Sequence, residues 1–424
     1  MVPAPVRHSP NETLPSERLS TRGIDFLIAG GEGVGWGHLS RCAVLASEAR
    51  RRGWEVRAFL RGDAAAAKQW QSLTGSEISG AWAAWHAGWA QRVVVLDFPK
   101  DRRDGAYDPK GEWLDRLERH GQQVMLIDDR RRHAAVEWTV LPALHHGLSA
   151  QIRHEPAEKE IVPSTPLDST AGLSRPLNQT ARGQLMLGPS YALLGRAHLA
   201  RSPIPLNTRH RILLSMGGSD PHSFTPRIAR ALSIALASAS LRSASYCVDV
   251  VLGAGFEDPK GLEAQAIQDL GFQVHRAVSA EKMAELMHRA RLALIGFGVS
   301  LSELAWHNTP FLTVPHHDTD RAPARDLAAN GIGRLLASGS ELDQNQMVNR
   351  IAAALADHNW QRTSSALANT ALEGGNGADR ILSRLEDDLA KRMLVDNQTQ
   401  RSTPLQAANT RAQARDSRGE VTAL

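Results

Sequence analysis

The sequence predicts an α/β protein with two similar domains, and three observations support this. At 424 residues the chain exceeds the roughly 250 to 300 residues at which one hydrophobic core usually stops growing. Short, almost wholly apolar segments alternate with helical patterns, which is typical of parallel strands buried on both faces. The alternation occurs twice, on either side of a polar stretch. We therefore expect two Rossmann-like domains that face each other across a cleft.

The first domain is predicted over residues 23–205. Its strands and helices are expected at IDFLIAG (24–30), HLSRCAVLASEARRRG, EVRAFL, RVVVLDF (92–98), a charged helix near 112–119, and QVMLID (123–128). Within this domain, residues 154–182 contain several prolines and few large apolar side chains. Such a segment cannot bury enough apolar surface to fold by itself, so we expect a polar, partly disordered insertion.

The second domain is predicted over residues 206–394. Strands are expected at HRILLSMGG, YCVDVVLG, FQVHRA, LALIGFG and PFLTVP, with helices near 224–237, 260–269, 280–289 and 300–308. Residues 1–22 and 395–424 are polar and lack periodicity. We expect them to form a disordered leader and a disordered tail.

Composition excludes several classes of protein. The formal charge is only +4, and no nucleic-acid-binding module accompanies the arginine runs at 50–52 and 130–132, so no nucleic-acid partner is expected. No apolar stretch is long enough for a bilayer, and the N-terminus lacks the features of a secretory signal. Cys42 and Cys247 are the only cysteines, which favours a reducing compartment and indicates a cytoplasmic protein. The sequence does not indicate the oligomeric state.

The segment GEGVGWGHLSRC (31–42) predicts a glycine-rich turn between the first strand and a helix that begins near His38. Glycines allow the backbone to approach a ligand, and the first N–H groups of a helix attract anions. The spacing does not fit the dinucleotide fingerprint, so no nicotinamide cofactor is expected. The helix N-terminus should lower the pKa of His38 and favour a general base. A capping or packed histidine is the alternative.

Two segments of the second domain have the same strand–loop–helix pattern. SMGGSD (215–220) ends an apolar strand with small residues suited to a diphosphate, although a simple left-handed turn would also explain its glycines. IGFGVSLSELAWHNTPFLTVP (295–315) places Glu303 in the first turns of a helix. Its carboxylate could accept hydrogen bonds from both ribose hydroxyls, or it could only complement the helix dipole.

Taken together, these segments resemble the GT-B nucleotide-sugar enzymes. They are most similar to the UDP-2,4-diacetamido-2,4,6-trideoxy-altropyranose hydrolase of pseudaminic acid biosynthesis and to its spore-coat polysaccharide relatives. The lipid II N-acetylglucosaminyltransferase is a more distant resemblance. The matching segments are GWGHLSRC (35–42), IDD (127–129), GPSYALL (188–194), LSMGGSDP (214–221), GVSLSE (298–303) and EGGNGA (373–378).

The resemblance implies a UDP-sugar hydrolase in surface-glycan synthesis that cleaves the anomeric C–O bond with inversion. His38 would activate water, and Glu303 would bind the uridine ribose. The other implied substrate-binding residues are Gly35, Gly37, Arg41, Asp129, Tyr191, Gly217, Gly218, Ser219, Gly298, Ser300 and Asp320. The resemblance implies no cofactor and no metal.

The chain departs from these hydrolases after the strand FLTVP. Where the hydrolases have an Asn-Gln pair, this chain has HHDTDR (316–321). This difference leaves two alternatives open, an inverting glycosyltransferase with a hydroxyl acceptor and a nucleotide-sugar binding protein without catalysis. Neighbouring side chains at a strand end point in opposite directions, so polar contacts to a sugar are favoured over a metal site in this segment.

Overall fold

The computed structural model describes residues 22–31, 34, 36–86, 92–97, 109–129, 133, 135–146, 184–238, 245–337 and 343–395. The predicted insertion at 154–182, most of the predicted leader and nearly all of the predicted tail lie outside these residues. Among the described helices, none is both long and apolar enough to span a membrane.

In the part of the chain that the structure describes, the first sheet has seven strands, and all of their pairings are parallel. The strands are β1 (Gly23–Gly30), β2 (Glu55–Gly62), β3 (Gly80–Ala81), β4 (Arg92–Asp97), β5 (Gln123–Ile127), β6 (Val136–Leu141) and β7 (Gln184–Leu187). Their order is β3-β2-β1-β4-β5-β6-β7. The chain therefore winds outward in both directions from β1 and β4, as in a doubly wound sheet.

The second sheet repeats this arrangement with six parallel strands. The strands are β8 (Arg211–Ser215), β9 (Cys247–Leu252), β10 (Gln273–Arg276), β11 (Ala290–Gly296), β12 (Phe311–Val314) and β13 (Arg334–Leu335). Their order is β10-β9-β8-β11-β12-β13. The predicted α/β class with two Rossmann-like sheets is confirmed.

Helices connect and cover the strands of both sheets. They are α1 (Gly37–Arg51), α2 (Ala64–Thr74), α3 (Pro109–Arg119), α4 (Arg196–Leu199), α5 (Phe224–Leu236), α6 (Leu262–Asp269), α7 (Ala280–Arg289), α8 (Ser300–Trp306), α9 (Asp318–Ala329), α10 (Gln344–Ala356), α11 (His358–Ala371) and a last helix, α12, over 377–395. The short helix α4 lies on the connection from the first sheet to the second.

Each sheet is buried on both faces, as the apolar strands predict. In β1, Phe26 and Ile28 belong to one apolar cluster, whereas Leu27 and Ala29 belong to another. This division follows from the period of two along a strand. The sequence AWAAWHAGWA (81–90) has Trp82, Trp85 and Trp89 at helical spacing, which predicts a stripe that faces the core. Trp82 and Trp85 are buried, in and directly after a short 3-10 turn, Trp82–Ala84. Trp89 lies outside the described residues.

The last helix, α12, packs against the first domain. Ile381, Leu382 and Leu385 are fully buried in the same apolar cluster as Phe26 and Leu39. The predicted boundary had placed residues up to 394 in the second domain. Sequence periodicity shows that a helix has an apolar face, but it does not show which sheet covers that face.

Candidate active site

The candidate site lies at the carboxyl ends of the two central strands of the first sheet. β1 and β4 are neighbours, and the connections that follow them lead to opposite sides of the sheet. Crevices at such switch points are the usual ligand sites of open α/β sheets. Helix α1 begins at Gly37, after β1, and Trp36 at its N-cap gives no side-chain hydrogen bond to the helix. The first backbone N–H groups of α1 are therefore not capped by a side chain of that residue.

His38 is held by a carboxylate at the end of β4. Its Nδ1 lies 2.7 Å from Oδ1 of Asp97, which is completely buried, while 21% of the His38 side chain is exposed. An ionised carboxylate only accepts hydrogen bonds, so the contact with Asp97 requires a hydrogen on Nδ1, whereas Arg41 Nη2, which only donates, lies 2.8 Å from the same nitrogen. In the tautomer that donates to Asp97, Nε2 has the lone pair that a general base needs. His38 is therefore paired with a buried carboxylate and partly exposed, and its role as a general base stays a prediction.

Arg41 lies one helical turn beyond His38 and pairs with the same carboxylate. It donates from Nε to Asp97 Oδ2 and from Nη2 to Asp97 Oδ1, both at 2.5 Å. Burial opposes ionisation of Asp97, but the charges and hydrogen bonds of Arg41 and His38 outweigh it and lower the pKa of Asp97. Asp97 is therefore ionised at neutral pH. Arg41 thus holds the carboxylate that contacts His38, and its predicted contact with substrate stays a prediction.

Asp128, which follows the end of β5, is a second carboxylate that pairs with Arg41. Arg41 Nη1 donates to its Oδ2 at 2.9 Å, and its side chain is 38% exposed. Burial opposes ionisation, but Arg41 and His146 outweigh it and lower the pKa of Asp128. Asp129, predicted to contact the sugar, is 99% buried, with a relative exposure of 1%. The positive φ of Asp128, 59°, accompanies this reversal of the two neighbouring side chains.

The loop after β8 supplies Gly217, Gly218 and Ser219. Gly217 has a φ of 86°, a conformation that favours glycine. The sequence also predicted that the following helix would offer its N–H groups to a diphosphate. In the structure, Asp220 accepts from the N–H groups of Phe224 and Thr225 at 2.9 and 2.7 Å. Two N–H groups at the start of α5 are thus satisfied by Asp220, and binding of a diphosphate at this loop stays a prediction.

Two contacts bring the domains together at this point. The indole of Trp36 packs so closely on Gly218 that a Cβ there would overlap the ring. Next to it, Gly37 faces the side chain of Val299, with 3.9 Å between an ideal Cβ at Gly37 and the Val299 methyl groups. The beginning of α1 therefore adjoins both small-residue loops of the second domain, those at 217–219 and 298–300. Gly35 lies outside the described residues.

Glu303 lies in the first turn of α8, and its side chain is 21% exposed. Its Oε1 is 3.4 Å from Nε2 of His198 on α4. Burial opposes ionisation, but the charge and hydrogen bond of His198 and a hydrogen bond from Ser300 lower the pKa of Glu303 overall. Glu303 is therefore an ionised acceptor. Gly298 is exposed, with open space where a Cβ would lie.

Asp320 lies in the first turn of α9 and is half-buried. Burial raises its pKa, and the negative charge of Asp128 raises it further. The two carboxylates, at the end of β5 and at the start of α9, are thus close enough to interact electrostatically.

Tyr191 lies apart from this group. Its ring packs on the apolar cluster of the first domain, and the Arg384 guanidinium of α12 lies 5.7 Å from the ring centroid. These contacts give Tyr191 a structural role beside the last helix. Its contact with a sugar stays a prediction.

Among the described residues, one group of side chains has the spacing of a metal site, Asp115, Glu118 and His133. His133 Nε2 is 2.9 Å from Asp115 Oδ1 and 3.7 Å from Glu118 Oε2. The group lies beside the amino ends of β5 and β6, at the opposite edge of the sheet from His38. It therefore has no part in the candidate site.

Comparison with solved structures identifies the fold. A UDP-GlcNAc 2-epimerase from Neisseria meningitidis bound to UDP-GlcNAc is 10% identical, with a TM-score of 0.52 over 86% of this chain and 100% of that one. The glycotransferase of kitacinnamycin is 13% identical, with a TM-score of 0.52 over 87% and 99%. The chain has the GT-B fold. The S. aureus MnaA–UDP co-structure is 8% identical, with a TM-score of 0.55 over 87% and 97%. No protein-family model and no curated protein matches the sequence.

Sequence reasoning missed three side chains of this site. Asp97 ends the strand RVVVLD, and Asp128 directly precedes Asp129, the residue that the resemblance implies. A signal for Asp97 was present, because a carboxylate at the end of the strand beside β1 faces the switch point. His198 had no such signal, since it lies outside the resembling segments and meets Glu303 only through the tertiary fold.

Proposed function

We propose that this chain is a UDP-sugar hydrolase that breaks the anomeric C–O bond and releases UDP and the free sugar for surface-glycan synthesis. The observation that carries the proposal is the Asp97–His38 pair, which presents an imidazole beside the loops at 217–219 and 298–300. The choice of a UDP-sugar draws on the ionised Glu303 carboxylate in the second domain, a suitable acceptor for ribose hydroxyls. UDP-GlcNAc binding by the N. meningitidis epimerase, which has a similar fold, also supports this choice.

In the proposed mechanism, water attacks the anomeric carbon while His38 Nε2 removes its proton. Asp97 accepts from Nδ1 and stabilises the imidazolium that forms, which is the role of the aspartate in a Ser-His-Asp triad. The bond to the UDP oxygen breaks on the opposite face, so the configuration inverts. The first N–H groups of α1 and the backbone of the loop at 217–219 would meet the charge of the departing diphosphate. No metal is assigned to this reaction.

The test is UDP release from UDP-linked acetamido sugars by the His38→Ala variant. Loss of a general base typically lowers a rate by about 10² to 10⁴-fold, and we expect a decrease of that size. His275→Ala is a matched control, because His275 also pairs with a buried aspartate, 2.8 Å from Asp249 Oδ1, in the second domain. A His38→Ala variant that releases UDP as fast as the wild type would exclude this mechanism.

Transfer of the sugar to a hydroxyl acceptor is the second candidate. It is favoured by Asp320 and Asp128, two carboxylates that interact electrostatically and could accept hydrogen bonds from an acceptor molecule. UDP release in buffer alone supports hydrolysis. Release that requires an added acceptor supports transfer, and UDP binding without turnover supports a binding protein.

A further inference from the structure

The connection between the domains brings a buried histidine against Glu303. His198 belongs to α4, and its residue is only 4% exposed. Trp306 of α8 donates from its indole N–H to the His198 carbonyl at 2.9 Å, so the backbone of α4 is attached to the helix that carries Glu303. This hydrogen bond therefore fixes the backbone at His198, on the connection between the domains, relative to α8 in the second domain.

The neighbours of His198 determine which of its ring nitrogens carries a hydrogen. An ionised Glu303 can only accept, so His198 Nε2, 3.4 Å from Oε1, carries a hydrogen. On the other side of the ring, Nδ1 lies 3.1 Å from Nε2 of His307. Burial, together with nearby positive charge, lowers the pKa of His307 to about 3, so its ring is neutral at pH 7. His307 is 1% exposed and fixes the plane of the His198 ring.

We propose that His198 is a positioning residue for nucleotide recognition, which fixes the Glu303 carboxylate so that it can accept from the ribose hydroxyls. This inference rests on the proposed function, in which Glu303 binds the ribose. A glutamate on a first helical turn has several rotamers, and an acceptor that is already oriented loses less entropy on binding. His198 holds Oε1 and leaves the remaining lone pairs of the partly exposed carboxylate for the ligand. Recognition of the nucleotide is thereby linked to the connection between the domains.

The experiment compares the dissociation constants of UDP and 2′,3′-dideoxy-UDP for the full chain. The wild type should prefer UDP, because only UDP offers hydroxyls to Glu303. In His198→Phe the preference should fall by about tenfold or more, the range lost with a hydrogen bond to a charged group, while the affinity for dideoxy-UDP stays within about twofold. If His198 had a purely structural role, His198→Phe would weaken the binding of both ligands equally.

Two further variants separate the roles of the two ring nitrogens of His198. The amide of His198→Gln can replace Nε2 and should keep most of the preference for UDP. The shorter amide of His198→Asn can replace Nδ1 toward His307 but does not reach Glu303, so the preference should be lost. Thermal melting of each variant shows whether it is folded, and the folded Gln and Asn variants keep the test decisive if the Phe variant does not fold.

The outcomes distinguish this inference from the proposed function. A full preference for UDP in His198→Phe and His198→Asn, together with its loss in Glu303→Ala, would overturn the role of His198 and leave the nucleotide site intact. A wild type that does not prefer UDP over dideoxy-UDP would show that Glu303 does not read the ribose. In that case the proposed nucleotide site would be wrong, and the inference would end with it.

Discussion

Replacing Asp97 with asparagine tests whether one carboxylate supports both the fold and the chemistry. Asp97 is fully buried and accepts from Arg41 twice at 2.5 Å and from His38 at 2.7 Å. The Arg41 side chain is only 8% exposed, so Asp97→Asn leaves a buried cation with one remaining carboxylate, Asp128 at 2.9 Å. Breaking a buried pair costs about 3–5 kcal/mol, and because Asp128 remains we expect about 3 kcal/mol.

The second domain supplies a matched control for this change. Asp249 is also a buried aspartate paired with an arginine and a histidine, but Arg211 and His275 are 21% and 22% exposed. Water can solvate these partners, so Asp249→Asn should cost less, about 1–2 kcal/mol. Asp249→Asn should keep its rate of UDP release, whereas Asp97→Asn should lose up to about 10⁴-fold, because an amide favours the wrong tautomer of His38.

Urea unfolding and UDP release measure the two effects. The pKa of Asp97 is lowered in the folded state, so its stabilisation is present above the ordinary aspartate pKa of about 3.9 and is lost as the pH falls through the lowered value. The stability difference between wild type and Asp97→Asn should therefore shrink in acid. An Asp97→Asn variant that is more stable than Asp249→Asn at pH 7, or that keeps the wild-type rate, would refute the reasoning.

Two further predictions concern the surfaces of the cleft. The pKa of Asp320 is raised, so its ionisation costs stability as the pH rises through that value. Asp320→Asn should melt higher than the wild type at pH 7 and lose this advantage near pH 4, and a difference that is independent of pH would contradict the account. Gly218→Ala should lower stability by about 1–3 kcal/mol, because the methyl group would overlap Trp36. The cost should disappear in a Trp36→Ala background, and an unchanged cost would show that the indole does not rest on Gly218.

The architecture could be predicted from the sequence because local patterns determine it. Strands such as β1 and β11 are continuous apolar runs, and the helix between β1 and β2 begins where the glycines of the first loop end. Each of these signals lies within about fifteen residues of sequence. The position of His38 at the start of α1 could be predicted for the same reason.

The partners of the site residues could not be predicted in the same way. Asp97 is 59 residues from His38, and His198 is 105 residues from Glu303, so only the tertiary fold brings the members of each pair together. Asp128 is partly exposed and Asp129 is buried, and this difference accompanies the positive φ of Asp128. The internal cap by Asp220 also shows that a glycine-rich loop before a helix can leave fewer N–H groups for a ligand than its sequence indicates.

The return of α12 to the first domain affects how the protein can move. Within the described residues, the backbone passes between the two halves twice, once through α4 and once just before residue 377. Two covalent crossings leave rotation about the line through them as the easiest relative motion, and they oppose sliding or full separation. A ligand that touches both halves then has to restrict only this one rotation. The entropy lost on binding such a ligand is lower as a result.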